Sequence, residues 1–262
     1  MKKPVALILT DTHATPNNLK LQESIWKQAV DYCLDNGIET VFHGGDFVTS
    51  RKAQTLEVLK HINWVKGFLN KSSIRLLGIS GNHDCTNLED IFSYPYIYND
   101  GAFNVVGEKY FEDFGKNLRM HFLPYFPETG SYKDKLEEVK RNITSDKKNV
   151  LLTHISINGG LAHENATVNK EIPADAFIGF DKVLVGHFHN KNKVDFDLAE
   201  IWYIGSAFAS NYGEDNDKGF TIIYDDGSID FVNSEFPKVE TSEVEGDKGE
   251  GKWLSETKRQ IS

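Results

Sequence analysis

The chain has 262 residues, a net charge of −10 and 39% hydrophobic residues, enough apolar material for one large α/β domain. The acidic average argues against a protein that binds nucleic acid through a broad basic face. No apolar run approaches the length of a membrane span. Two separated cysteines and the lack of a signal-type apolar segment near residue 1 predict a reduced, cytoplasmic protein.

Five short apolar runs, bounded by Gly, Asn or Asp, predict buried strands. In chain order they are residues 5–9, 40–42, 76–79, 150–152 and 183–185. Apolar residues recur at helical spacing from Leu21 to Cys33, and Gly37 stands where that helix would end. A second helix is predicted over about residues 53–69. This alternation predicts an α/β fold, which places its ligands beyond the carboxyl ends of the strands.

A polar cluster directly follows each of these strands, so the clusters are expected to gather at one sheet edge. They read Asp11-Thr12-His13, Gly44-Gly45-Asp46, Gly81-Asn82-His83-Asp84, Thr153-His154 and Gly186-His187-Phe188-His189. Carboxylate, amide and imidazole groups without a thiolate suit Mn²⁺, Fe or Mg²⁺ better than a tetrahedral structural zinc. The pattern therefore predicts a metal centre.

The residue types favour two ions rather than one. A shared carboxylate offsets the repulsion of two cations roughly 3.5–4 Å apart, and the ions would lower the pKa of a shared water, which then attacks phosphorus as hydroxide. Asp46 is the predicted bridging residue, because the two glycines before it allow the backbone to approach closely. We therefore expect a two-metal hydrolase.

In this order the motifs resemble the calcineurin-like metallophosphoesterase superfamily. The resemblance implies an α/β fold in which a two-sheet β-sandwich is flanked by helices in four layers. It assigns one ion to Asp11, His13, Asp46 and His189, and the other to Asp46, Asn82, His154 and His187. It implies that His83 contacts the phosphate or protonates the leaving oxygen, with Asp84 as a supporting catalytic residue. Mn²⁺ is the expected metal, with Fe, Mg²⁺ and Zn²⁺ as alternatives.

Other segments are similar to the SbcD-type nuclease subunits of double-strand-break repair complexes. The similar segments are residues 44–48, 202–206, 213–214 and 218–220, within a likeness over about residues 5–235. Protein phosphatases of the superfamily carry Asp-Arg-Gly after the bridging residue, and this chain lacks it. The likeness implies an exonuclease or endonuclease acting on DNA. It departs at Thr49, where the nucleases commonly carry a catalytic histidine.

Two other functions stay open. A small-molecule or nucleotide phosphodiesterase or phosphatase is favoured by the acidic charge and by the absence of a DNA-capping domain. A metal-bound structural subunit of a nucleoprotein assembly is favoured by Thr49, although the complete ligand set argues against it. If DNA is bound, the charge favours single-stranded or flexible DNA, because few cations are available to hold a stiff duplex. A groove would have to use Arg51, Lys52, Lys60, Lys66, Lys191 and Lys193.

The catalytic domain is expected to span residues 1–238, followed by a flexible tail over residues 239–262. Related nucleases hold a coiled-coil ATPase through their C-terminal region, so the tail is a candidate docking peptide with Trp253 as its anchor. The alternative is a tail packed on its own domain. A homodimer is left open, and no membrane partner is expected.

The remaining segments predict ordinary structure. Residues 103–123 suggest two or three antiparallel strands, and residues 200–232 suggest a second antiparallel set with a hairpin turn at Asp225-Asp226-Gly227. His43 is expected to pack at a strand end. Three histidines lack partner spacing and are expected on the surface or in turns; they are His61, His121 and His163.

Overall fold

The computed structural model describes residues 2–127, 130–158, 172–211 and 214–238. The predicted tail with Trp253, and also His163, lie outside the described residues. Within these ranges, no helix is both long enough and apolar enough to cross a bilayer.

The first part of the chain alternates strands and helices as predicted. It contains β1 (Pro4–Leu9), α1 (Leu19–Asn36), β2 (Thr40–His43), α2 (Leu56–Lys71) and β3 (Arg75–Ile79). The rest contains β4 (Phe103–Val106), β5 (Tyr110–Phe114), β6 (Leu118–Leu123), α3 (Tyr132–Lys140), β7 (Lys148–His154), β8 (Lys182–Gly186), β9 (Asn192–Val194), β10 (Glu200–Tyr203), β11 (Gly219–Tyr224) and β12 (Ile229–Asn233). Short 3₁₀ helices lie at Pro95–Tyr98 and Ala174–Phe177.

Capping residues define the ends of the two long helices. Gly37 ends α1 in the left-handed conformation, at φ 65°, and its amide donates to the carbonyls of Cys33 and Leu34. Thr55 begins α2, and its hydroxyl accepts a hydrogen bond from the Val58 amide. Both boundaries lie within a few residues of those predicted.

Two six-stranded sheets form the core. Their strand orders are β12-β11-β1-β2-β3-β4 and β5-β6-β7-β8-β10-β9. Successive strand residues point to opposite faces, so Ile8 and Phe42 face the second sheet while Leu7 and Val41 face α1 and α2. The opposite face of the second sheet packs on α3 through Leu136. The order helix, sheet, sheet, helix confirms the predicted four-layer sandwich.

Of the two later strand predictions, one is confirmed and one needs correction. β5 and β6 are two antiparallel strands within residues 103–123, as expected, and β4 pairs in parallel with β3. Residues 200–232 divide between the sheets: β10 pairs in parallel with β8, whereas β11 and β12 form a hairpin beside β1. The predicted turn is confirmed at Gly227, with φ 78°. The alternating pattern identifies a strand but carries no information about its distant partner.

Candidate metal centre

The two sheets meet where the strands preceding the predicted ligands end. His154 of β7, in the second sheet, donates through Nδ1 to the Gly44 carbonyl that follows β2, at 2.8 Å. The His187 amide, after β8, donates to both carboxylate oxygens of Asp11, after β1, at 3.1 and 3.0 Å. These bonds bring the predicted ligand loops together at one edge of the sandwich.

The first donor group consists of Asp11, His13 and His189, whose ligand atoms all lie within 4.8 Å of one another. The Nε2 atoms of His13 and His189 are 3.1 Å apart, and each is 3.8 Å from Asp11 Oδ1. His189 Nδ1 donates to the Glu214 carboxylate at 2.8 Å. No described group bonds the buried Nδ1 of His13.

The second donor group consists of Asp46, His154 and His187, again with ligand atoms within 4.8 Å. The predicted amide ligand joins it: Asn82 Oδ1 lies 3.2 Å from His154 Nε2 and 3.1 Å from His187 Nδ1. All seven predicted ligands therefore lie in one of the two groups or against one.

One oxygen of Asp46 faces both groups. Its Oδ2 lies 3.5 Å from His13 Nε2 and 3.3 Å from His154 Nε2. Its Oδ1 accepts a hydrogen bond from the His83 amide at 2.8 Å. A carboxylate in this position would offset the charge of a cation in either donor group, as expected for the predicted bridging residue.

The donor atoms fit cations better than they fit one another. Because His154 Nδ1 donates to a carbonyl, Nε2 is the atom left for a cation, and it faces the acceptor oxygens of Asp46 and Asn82. Burial lowers the pKa of His154, but the carboxylates of Asp46 and Asp11 outweigh burial and raise it to about 10. The site therefore attracts positive charge, and divalent ions would supply it through the donor types found here.

Four predicted ligands have a backbone conformation that L-residues rarely adopt. The φ angle is 52° at Asp11, 46° at His13, 55° at Asp46 and 90° at His187. In the described ranges, Ser73 is the only other non-glycine residue with positive φ. Such residues cost roughly 1–3 kcal/mol each and persist where function requires their geometry. The strain is thus concentrated at this cluster.

Two glycines allow the ligand loops to pack closely. A Cβ atom at Gly81 would lie 2.1 Å from Asp46 Oδ1, and one at Gly45 would lie 2.6 Å from His154 Nδ1. Any side chain at either position would displace a predicted ligand. Gly45 has φ 98°, a further reason for glycine there.

His83 lies beside the first donor group without belonging to it. Its Nδ1 donates to the Thr49 carbonyl at 2.6 Å, and its ring packs edge-on against His13 with 5.1 Å between centroids. The Thr49 hydroxyl donates to the His13 carbonyl at 3.0 Å. Thr49 therefore positions both histidines through its backbone oxygen and its hydroxyl.

Asp84 does not face the donor groups. It is fully buried, and its carboxylate accepts hydrogen bonds from the amides of Val48 at 3.1 Å and Gly81 at 2.8 Å. Burial and the nearby Asp46 carboxylate raise the pKa of Asp84 to about 8. These bonds tie the loop after β2 to the loop after β3, and the supporting role of Asp84 in catalysis stays a prediction.

Residues 5–191 match the family model of the calcineurin-like phosphoesterases. The match covers more than half of the 262 residues. The chain belongs to the calcineurin-like phosphoesterase family. Membership of this family agrees with the metal-dependent phosphoester hydrolase that the motif order predicts.

The chain is similar to one curated protein and to several solved structures. Exonuclease subunit 1 of Enterobacteria phage T4 is 26% identical over 204 residues, covering 74% of this chain and 55% of the relative. The chain therefore spans about half the length of that relative. A dimetal phosphatase from Danio rerio has a TM-score of 0.58 at 11% identity, over 85% of this chain and 93% of that one. The protein TT1561 of Thermus thermophilus has a TM-score of 0.55 at 11% identity, over 88% and 99%. Both show the same fold.

The metal centre of the phosphoesterase opens into a cleft of about 480 Å³. His13, His83 and His189 reach this cleft, together with Asp46 and His187. The surrounding wall is formed by neutral residues between 15 and 21 and between 208 and 211, and by Thr49. No lysine or arginine is among the described residues that line the cleft.

The predicted basic groove of the phosphoesterase is partly neutralised. Lys66 Nζ lies 3.0 Å from the Asp100 carboxylate, and Lys191 Nζ lies 2.9 Å from that of Asp217. Lys191 and Lys66 therefore have less charge to offer a phosphate than the sequence suggests.

Two functional neighbours of His189 were missed by the sequence interpretation. Glu214 accepts a hydrogen bond from His189 Nδ1, and Lys218 Nζ lies 3.1 Å from the Glu214 carboxylate. The available signal was a Glu and a Lys four residues apart in the segment similar to the nucleases. Nothing in that spacing connects them to a histidine 25 residues away.

Three other histidines of the phosphoesterase are buried. His43 stacks on Phe47 with 3.5 Å between ring centroids, which agrees with a packed strand-end residue. The expectation of surface positions is wrong for His61 and His121, which bond Gln22 and Asn149 inside the protein. Burial lowers the pKa of His61 to about 4, so it is neutral at pH 7.

Proposed function

We propose that this phosphoesterase is a two-metal phosphodiesterase whose substrate is DNA, a nuclease of the SbcD type. The observation that carries the proposal is the pair of donor groups with Asp46 Oδ2 directed to both. One ion would be held by the first donor group with Asp46, and the other by the second donor group with Asn82. The donor set favours Mn²⁺, with Fe, Mg²⁺ or Zn²⁺ as alternatives.

The bound ions would polarise the phosphate and lower the pKa of water, which supplies the nucleophile. The residues of the chain hold and orient these components. Asp46 offsets the charge of both ions, and the backbone bond from His187 to Asp11 keeps the loops of the two sheets in register. Desolvated donors held in this way need no rearrangement during the reaction.

His83 is proposed to serve the leaving group. Its Nδ1 is engaged with the Thr49 carbonyl, which leaves Nε2 for a substrate oxygen in the cleft. A protonated Nε2 there can donate to the leaving oxygen of the diester. Residue 49 is a threonine here and not the histidine common in the nucleases. Because its backbone carbonyl is the group that holds His83, this difference does not change how His83 is positioned.

The DNA substrate is supported by the likeness to a T4 protein named as an exonuclease subunit. The net charge of −10 and the lack of lysine and arginine among the described residues that line the cleft leave few contacts for a stiff duplex. We therefore expect single-stranded or flexible DNA to be preferred, with activity that falls as salt rises. We also propose a multi-subunit assembly, with residues 1–238 as the catalytic domain and the tail as a docking peptide for a coiled-coil ATPase.

A small-molecule phosphodiesterase or phosphatase is the second candidate. The favouring observation is the cleft, whose described lining offers no phosphate-binding cation and which is small enough for a nucleotide-sized ligand. In such a cleft only the metal ions would offset the charge of a bound phosphate. A dianionic monoester would therefore bind less favourably there than a singly charged diester.

The deciding experiment compares substrates under one condition. Single-stranded DNA, double-stranded DNA, a cyclic dinucleotide, bis-p-nitrophenyl phosphate and p-nitrophenyl phosphate are each incubated with Mn²⁺ and with chelator. An Asp46→Ala preparation purified in parallel controls for contaminating nucleases. Metal-dependent cleavage of DNA supports the nuclease. Cleavage of the cyclic dinucleotide without DNA cleavage supports the second candidate, and bound metal without hydrolysis of any substrate supports a structural subunit.

A further inference from the structure

Glu214 hydrogen-bonds the ring nitrogen of His189 that points away from the first donor group. It is buried, with 2% of its side chain exposed, and its Oε1 accepts from His189 Nδ1 at 2.8 Å. The same oxygen accepts from the Ser210 hydroxyl at 2.8 Å and from the Asn211 amide group at 3.0 Å. The Ser210 backbone amide donates to Oε2 at 3.3 Å. Glu214 thus connects a metal ligand with two residues that line the cleft.

Lys218 neutralises this carboxylate from inside the protein. Its side chain is 0% exposed, and Nζ lies 3.1 Å from Glu214 Oε2. Nζ also donates to the His189 carbonyl at 2.6 Å and to Asn190 Oδ1 at 2.9 Å. A buried ammonium with three such partners is fully satisfied. It holds both the carboxylate and the backbone of His189 in one arrangement.

An imidazole that donates from Nδ1 to a carboxylate keeps its lone pair on Nε2 and becomes a better ligand. His189 Nε2 is the atom directed at the first donor group. We propose that Glu214 and Lys218 form a positioning pair that sets the metal affinity of the first donor group and connects it to the cleft wall. This inference rests on the proposed two-metal function and adds residues outside the predicted ligand set.

The experiment measures metal binding directly. Mn²⁺ is titrated into the metal-free full-length chain by calorimetry, for the wild type, Glu214→Ala and Glu214→Gln. Glu200→Gln is the matched control, because Glu200 also pairs with a buried lysine, Lys182, but on β10 away from the donor groups. Removal of a carboxylate behind a metal histidine typically weakens metal binding by about 10–100-fold.

We expect two ions per wild-type chain and a loss of about 10–100-fold in affinity for one of them in Glu214→Ala. Glu214→Gln should give a smaller loss, because its amide oxygen still accepts the Nδ1 proton. Glu200→Gln should match the wild type. The Gln variant preserves shape, so it decides the question if the Ala variant fails to fold. Wild-type affinity for both ions in Glu214→Gln and Glu214→Ala would overturn the inference, whereas a wild type that binds no ions would overturn the proposed function itself.

Discussion

The two donor groups differ in what holds them in place. In the second group, the side chains of His154 and Asp46 are 0% and 2% exposed, and a backbone carbonyl orients His154. In the first group, the side chains of His13 and His189 are 11% and 19% exposed, and the carboxylate of Glu214 orients His189. A backbone carbonyl thus orients one histidine of the second group, whereas a carboxylate orients one histidine of the first group. We infer that substrate would approach from the side of the first group, and that an ion held there would be the more easily lost.

The largest effect is expected when the residue shared by the groups is removed. Asp46→Ala should lose both ions and lower the hydrolysis of bis-p-nitrophenyl phosphate by more than roughly 10⁴-fold. His189→Ala should lose the ion of the first group and retain the other, because His154 and Asn82 remain. Elemental analysis of the purified variants measures the metal content, and a rate assay measures the hydrolysis. Two ions in Asp46→Ala would remove the bridging assignment.

Substitution of His83 tests whether the leaving oxygen of the substrate lies in the cleft beside the first donor group. His83→Asn should reduce turnover by about 10²–10⁴-fold on a diester with a poor leaving group, while metal content stays unchanged. The loss should be smaller with p-nitrophenolate, which needs no proton to depart. The ratio of the two rates is the measurement. Equal losses on both substrates, or a loss of metal, would contradict the general-acid role.

Substitution of Asp84 tests the backbone bonds that join the loops after β2 and β3. Among these substitutions we expect it to have the smallest effect on hydrolysis. Asp84→Asn can accept only one of the two amide hydrogen bonds well, so we expect a loss of about 1–3 kcal/mol in unfolding free energy. The melting temperature of the metal-free protein should fall by roughly 2–4 °C per kcal/mol. An unchanged melting temperature together with a large loss of turnover would instead support the predicted catalytic role of Asp84.

Several features could be predicted from local sequence because their physical cause is local. Runs such as residues 5–9 and 183–185 are apolar on both faces, as strands buried between helices and a second sheet must be. Gly37 ends α1 because glycine tolerates the left-handed conformation found there. The positions of Asp11 and Asp46 shortly after neighbouring parallel strands predicted their meeting, since parallel strands bring their carboxyl ends to one edge. The expectation of a single sheet edge is wrong for His187, which follows a strand of the second sheet.

The sequence by itself determined the five strands that precede the ligand motifs, the two long helices, the order of those motifs and hence the donor types of the candidate centre. The tertiary structure alone decided the direction of the Asp84 carboxylate, the pairing of β4 with β3 and the burial of Glu214 and Lys218 behind His189. Helix caps and strand periodicity arise from interactions within a few residues. By contrast, Asp84 bonds Val48 and Glu214 bonds His189 over separations of 36 and 25 residues, and β4 pairs with the distant β3. Their free energy depends on packing and desolvation that exist only after the two sheets have come together.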